Sequence, residues 1–338
     1  MAPPTLPRSN FHQSLASGPS IPPPSSLSAS TPQKEDAELA WQTSAFSYPD
    51  HVIPPRNYTG IQDLVIVCCH AIFHPDVSSP SFPLYGPHVE SNWHLAPFQK
   101  SQPETGKLGE HETFLLHISA GIDALVTGPY ADTSLLVFSG GVTKRSLTPL
   151  SEARSYYHAA LALALSQRSY NGGCSRQLYD KGRILLEEDA TDSFQNLLFS
   201  ILLFRRTTGV YPKRILVITH AFKSKRVLNL HANALRWPQE RIRVHGIDPI
   251  MSAAEREETV EGEARFGYAP WLDDALGTGE MLAKKRELRG WDQGKIEELG
   301  RGLEDSVQKL LTGKLVNDLP WNEVETDVPV DSPLSVVA

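Results

Sequence analysis

The chain is short of cysteine, with 3 among 338 residues, and it has no long apolar run. Cys68 and Cys69 are neighbours in an apolar segment and Cys174 lies in a polar loop, a pattern that makes neither a disulfide framework nor a zinc signature. Neighbours on a strand point to opposite faces, so the first two thiols face apart. The expectation is a reducing compartment. No stretch reaches the roughly 18 apolar residues that span a bilayer. The longest, residues 197–204, is interrupted by Ser200 and closed by Arg205 and Arg206. The N-terminus lacks a basic segment followed by an apolar one, so a secretory signal is not expected. It is Ser-rich, with only Arg8 and Lys34 as basic residues before Arg56; a mitochondrial transit peptide is the less favoured alternative. Excess positive charge is missing too. The net charge is −7, which argues against nucleic-acid or anionic-membrane partners, since both want a positive surface. The acidity gathers around residues 255–263 and Asp273-Asp274, leaving room for a basic patch elsewhere. A cytoplasmic, soluble protein is the expectation, with protein partners left open.

What is present is a core and a rhythm. Hydrophobic residues make up 40% of the chain, enough to bury a sizeable core. Residues 1–57 are crowded with Pro and Ser, as in Ile21-Pro22-Pro23-Pro24, and such composition does not offset its ordering entropy, so a disordered tail is expected. A polyproline ligand in this tail is the functional alternative, and a short helix over residues 35–42 is conceivable. The apolar run at residues 63–69 is too short for a helix and reads as a strand buried on both faces; residues 135–138, 183–186 and 214–218 read as further strands, and 241–245 completes the alternation as a fifth. Helical periodicity fills the gaps, from Glu110 to Gly128-Pro129, Leu150 to Ser166 behind a Thr148-Pro149 start, Asp192 to Thr208, and Phe222 to Leu235. Residues 70–108, with six prolines, read as a long irregular connection. Asn171-Gly172-Gly173 reads as a flexible connector. The alternation predicts a Rossmann-like three-layer α/β sandwich with a mainly parallel sheet of about five strands. It would occupy residues 58–250, followed by a helical C-terminal extension over 251–312, patterned as 253–266, 279–288 and 295–311, and a polar tail over 313–338.

Three strands run into loops of small, polar or charged residues, and in a parallel sheet such loops meet at the carboxyl edge, where ligands bind. The first is Ser139-Gly140-Gly141, followed by Lys144 and Arg145; its glycines allow amides to approach an anion, although a Gly-Gly exit is equally a tight turn. Behind it lies Ser151-Glu152-Ala153, where Glu152 is a candidate general base and also a residue that suits a helix's first turn. The second loop runs from Glu187, Glu188 and Asp189 to Thr191 and Asp192. Its carboxylates could bind a divalent cation or raise one another's pKa, or form a solvated loop before a capped helix. Asn196 lies one turn beyond Asp192, so both share a face. The third is Thr219-His220-Ala221-Phe222-Lys223, with Arg226 a turn later. Thr219 is a candidate cap, and Lys223 and Arg226 share a face that could hold a phosphate or carboxylate. His70, His74, His88, His94 and Asp76 in the first connection invite a zinc proposal, yet no pair has a metal motif's context. His70, directly after the first strand, is the better site candidate.

Together these pieces resemble the YdcF/SanA-type family, known as domain of unknown function 218. The matches are Ser139-Gly140-Gly141, Ser151-Glu152-Ala153, Glu187 with Thr191, Asn196, and Thr219 with Phe222 and Arg226. They cover roughly residues 62–248. Cys69-His70-Ala71 replaces the family's Gly-rich first exit. Asp192, Ser193 and Gln195 stand where Asn, Thr and Glu are common, and His220 and Lys223 replace Ser and His. The resemblance implies a pocket at the strand carboxyl ends for S-adenosylmethionine or another nucleotide-like ligand. It implies no settled reaction, and the departures point to a ligand of this chain's own.

The function expected is therefore binding of a small anionic, nucleotide-like molecule, with hydrolase or transferase chemistry on it. Ser139, Gly140, Gly141, Thr219, Lys223 and Arg226 would grip the anion; Glu152 and Glu187 would act as acid and base; His70, Ser151, Thr191 and Asn196 would hold polar groups. The cofactor is open and no metal is assigned. A non-catalytic sensor or interaction module is the alternative, and a metal-dependent hydrolase using the acidic loop is a third reading.

Overall fold

The structure, a computed structural model, describes residues 56–74, 86–104, 106–166 and 173–323. The expected Pro/Ser tail, Asp76, the Asn171-Gly172 connector and the chain beyond 323 lie outside them.

Five strands form one parallel sheet: β1 (Asp63–Cys68), β4 (Ser134–Ser139), β5 (Ile184–Glu187), β6 (Arg214–Thr219) and β7 (Ile242–Gly246), in the order β5-β4-β1-β6-β7. All six residues of β1 and of β4 are buried, as unbroken apolar strands covered on both faces should be. The chain starts in the middle, winds outward through β4 and β5, then returns past β1 to β6 and β7. The winding reverses between β1 and β6, and this is the crevice where doubly wound sheets bind ligands.

Alternation along β1 sends Val65, Val67 and Cys69 to one layer and Leu64, Ile66 and Cys68 to the other. The first layer holds α1 (His111–Val126) and α2 (Glu152–Ser166). The second holds α4 (Ser193–Thr208), the helix through Arg226–Ala232, and the C-terminal helices. The three-layer sandwich expected from the sequence is thus the fold.

Several local expectations shift. Within residues 70–108, β2 (Ile72–Phe73) and β3 (Trp93–His94) pair antiparallel. The second helix begins at Glu152 rather than Leu150, because the Ser151 hydroxyl accepts from Arg154 N (3.0 Å) and acts as cap, whereas the Thr148 hydroxyl accepts from Leu150 N, ahead of the helix. Gly173 opens a short helix, α3 (Gly173–Asp180), and its Tyr179 stacks on Tyr157 at 4.2 Å.

The C-terminal part comprises α5 (Ala253–Gly262), a π-helical segment (Glu263–Tyr268), α6 (Pro270–Asp273), α7 (Glu280–Leu288), α8 (Lys295–Gly300) and α9 (Asp305–Leu311). The pattern over 295–311 is therefore two helices, broken at Gly302, whose φ is +74°. The folded body also runs past residue 312. Trp321 is fully buried, donates to Leu235 O (2.8 Å), and its carbonyl accepts from Arg241.

These helices are tied to the β5–α4 loop by charge. Arg286 Nε donates to Asp192 Oδ2 (2.5 Å) with both side chains about nine-tenths buried. Arg289 donates to Thr191 O (2.8 Å), and Lys295 pairs with Asp189. Removing one member of a buried pair strands the other. Arg286→Ala should therefore lower unfolding stability by roughly 3 kcal/mol in a urea titration; a loss below about 1 kcal/mol, the range of exposed pairs, would show that the clamp is ornamental.

Candidate functional site

At the exits of β4 and β5, the polar residues mostly satisfy one another. Gly140 N donates to Glu187 O (3.0 Å) and Gly141 N to Ala190 O (2.7 Å). Both amides therefore serve neighbouring loops and are not presented to an anion, which corrects that expectation. A side chain at Gly141 would meet Ala190 O at 2.9 Å, so glycine is required here for backbone contact within the protein. Glu187 is buried; Oε2 accepts from Ser139 Oγ (2.5 Å), and Oε1 accepts from Asp189 N (2.7 Å) and Ala190 N (3.0 Å). Burial pushes its pKa up to about 7 against those bonds. The Ser139 hydroxyl also lies 3.2 Å from Asn196 Oδ1. A protonated Glu187 could donate to Ser139 while Ser139 donates to Asn196, so both ionisation states keep a closed chain.

Thr191 and Ser151 are likewise engaged inside. Thr191 N and Oγ1 both donate to Gln195 Oε1, at 2.8 and 2.7 Å. Ser151 donates to Glu188 Oε1 (2.6 Å), and Arg154 binds both oxygens of Glu188. The acidic loop is thus resolved into separate pairings with Arg154, Lys295 and Arg286. Among the described residues no group of three or more His, Cys, Asp or Glu is placed to hold a metal ion. Neither the acidic loop nor the histidines of the first connection form a metal site there.

Glu152 differs from Glu187. It is buried and accepts from the Thr143 hydroxyl, leaving its second oxygen beside Gly140. Burial raises its pKa, opposed by the Thr143 bond and by the charges of Arg289, Lys144 and Lys223.

At the exits of β1 and β6 the groups are sparsely satisfied. His70 Nε2 lies 3.2 Å from Thr219 Oγ1, and His70 Nδ1 lies 3.4 Å from Lys223 Nζ. His70 N donates to the Tyr156 hydroxyl (3.1 Å). Thr219 caps no helix; His220 occupies that position without a side-chain capping bond. His117 and His220 pack around His70 with ring centroids 5.8 and 4.6 Å away. His220 is buried, and neither ring nitrogen has a hydrogen-bond partner among the described residues; Glu110 Oε2 is 3.8 Å off. Burial, reinforced by Lys223, holds His70 and His220 well below the usual imidazole range, and burial draws His117 down to about 4. All three are neutral at pH 7.

Lys223 is the cation of this half. Burial, then the adjacent Arg226, draws its pKa down to about 8. Among the described residues no carboxylate lies within 4.0 Å of its Nζ. Arg226 is closed over by Glu263, with Nε 3.1 Å from Oε1. The two halves meet at Cys68, whose thiol is raised by burial to about 11 while Lys223 and a hydrogen bond with Asn196 oppose the rise.

The structure thus brings His70, Thr219, Lys223 and Arg226 together, holds Glu152 against Thr143 and Gly140, and puts Ser139, Gly140, Gly141, Ser151, Glu187, Thr191 and Asn196 in the packed floor. His117, Glu110 and Glu263 were not singled out from sequence, and His220 was named only as part of the third loop. His117 and Glu110 sit in a helix read for its apolar face, and Glu263 lies in an acidic run resembling any solvated surface. Two open cavities lie away from this crevice. One, of about 640 Å³, is at the amino edge by Tyr58, Gln62 and Tyr211, and the other, about 460 Å³, lies between α1 and β7.

The chain is 31% identical over 264 residues to the uncharacterized protein YOR238W of Saccharomyces cerevisiae, covering 67% of this chain and 83% of the yeast protein. The chain belongs to that protein's family. No family model matches the sequence, and no solved structure matches it. The 264-residue match is long enough that most of the Rossmann-like body must be shared between the two proteins.

Glu187 gives the floor a measurable signature. A folded-state pKa above the unfolded one means the folded chain holds the proton longer, so this group's stabilisation is full below about pH 4.5 and is lost as pH rises through about 7. Wild type should show a fall on the order of 2 kcal/mol across that window from this group. Glu187→Gln, which preserves the acceptor for the two amides, should flatten it in urea titrations run against pH; an unchanged slope would mean that Glu187 is ionised throughout.

Proposed function

We propose that the protein binds a small anionic, nucleotide-like ligand in the β1/β6 crevice, with Lys223 and Arg226 as the anion-gripping pair. One observation carries this reading: Lys223 is a half-buried ammonium with no carboxylate within 4.0 Å among the described residues. An uncompensated cation drawn out of water destabilises the empty fold. A bound anion would repay that cost, and its negative charge would restore the lysine's pKa. Position supports the reading independently, because the crevice is the switch point of a doubly wound sheet. The resemblance to the YdcF/SanA type agrees with it and suggests S-adenosylmethionine among the ligands to try.

Chemistry on the ligand falls to Glu152. It is the acid whose burial raises its pKa, which has an oxygen left over from the Thr143 bond, and which feels the crevice cations. A carboxyl poised nearer neutrality is suited to general acid–base transfer in hydrolysis or group transfer. Glu187, with both oxygens engaged in the floor, is assigned to positioning the β5–α4 loop instead.

The test is a thermal-shift panel on the full chain with nucleotides, S-adenosylmethionine, its demethylated product and sugar phosphates. A native-state ligand raises Tm with concentration. Lys223→Met should erase the shift and, since it removes a strained charge, raise the empty protein's stability by about 1–2 kcal/mol at pH 7. Glu152→Gln should keep the shift and abolish any turnover of the hit. An anion-induced shift that survives Lys223→Met would move the site elsewhere.

A further inference from the structure

Arg226 and Glu263 are held together in an unsettled way. Their side chains are 11% and 12% exposed and Arg226 Nε lies 3.1 Å from Glu263 Oε1. Yet both atoms are buried without an aligned hydrogen bond. Buried ion pairs hold well only when the geometry is good and the remaining polar atoms are satisfied. This one fails the first condition.

The backbone at both partners is unusual as well. Arg226 opens a π-helical segment, Arg226–Ala232, and Glu263 opens another, Glu263–Tyr268. Such wide turns are rare and occur mostly at functional positions. Arg226 Nη1 also reaches Gly267 O across the gap (3.3 Å). The carboxylate of Glu263 is seated against Gly267, where any Cβ would overlap its oxygens. It also lies within the electrostatic reach of Lys223, since both cations act on it. A carboxylate is therefore parked against Arg226, and more than 4.0 Å from Lys223, on a segment outside the Rossmann-like core.

We propose that Lys223 and Arg226 form an oxyanion subsite which Glu263 occupies as an internal stand-in, so that a carboxylate or phosphate group of the ligand binds by displacing it. This rests on the anion-binding reading above and extends it in two ways. It sets the size of the anionic group at one carboxylate or phosphate, because one carboxylate fills the place. It also makes affinity a competition, in which the ligand must overcome the internal carboxylate's own attraction for the pair.

The experiment is calorimetric titration of the full-length protein with inorganic phosphate, comparing wild type, Glu263→Gln, Gly267→Ala and Lys223→Met. Glu263→Gln removes the competing charge. Gly267→Ala keeps the charge but puts a methyl group where the carboxylate sits, and the residue's helical backbone accepts alanine, so it serves even where the first variant folds poorly. Both should bind phosphate about tenfold more tightly than wild type, a coupling of ordinary size between two competing groups. Lys223→Met should bind none. Equal or weaker binding by both Glu263→Gln and Gly267→Ala, with wild-type binding still lost in Lys223→Met, would overturn the stand-in and leave the anion site intact. Failure of every folded variant to bind phosphate would overturn the subsite together with the reading it rests on.

Discussion

The carboxyl edge of this sheet is organised around charges that have been taken out of water without full compensation. Elsewhere the protein pairs its buried charges closely: Asp63 accepts both arms of Arg214 at 2.8 and 2.6 Å, and Asp192 takes Arg286 at 2.5 Å. At the crevice the same economy fails. Lys223 faces a neutral histidine, His220 keeps two ring nitrogens without a hydrogen-bond partner among the described residues, and Arg226 meets Glu263 out of alignment. Buried polar groups left unsatisfied destabilise a fold, and each asks for a reason. A ligand that completes those at the crevice is the reason proposed for them.

The contrast between the two halves assigns different work to similar residues. Glu187, Ser139, Asn196 and the Gly140-Gly141 amides form a closed network that fixes β4, β5 and α4 relative to one another. The C-terminal helices brace that network from outside through Arg286, Arg289 and Lys295. A rigid floor of this kind is what a site needs to hold its open groups in place. The helical extension therefore does two things: it clamps the loop with cations, and it carries Glu263 to the crevice.

Much of this was legible in the chain. Four short apolar runs and a fifth strand at 241–245, with helices between them, predicted the sandwich, and unbroken apolar runs such as 63–69 are what strands covered on both faces require. The polar strand exits pointed to the sheet edge where the candidate site is placed. The division of labour among the exits was not legible. Ser139-Gly140-Gly141 reads the same whether its amides face a ligand or Ala190, since only the neighbouring loop's position decides. The acidic loop hid two of its three cationic partners, Arg286 and Lys295, which stand about a hundred positions later in helices with ordinary surface composition. Trp321 was missed for a similar reason, being one aromatic in a polar stretch, though it fills the core beside Trp237. Histidines 117 and 220 carry no periodic signature at all; their meeting is set by the sheet's winding.

The most direct measurement is a crystal structure of the protein soaked with selenate, a phosphate-sized anion whose selenium is located by anomalous scattering. The account predicts a peak between Lys223 and Arg226 at the β1/β6 crevice, with the Glu263 carboxylate moved off Arg226. A selenium peak confined to the Ser139–Gly141 exit, or none at all near Lys223, would contradict it.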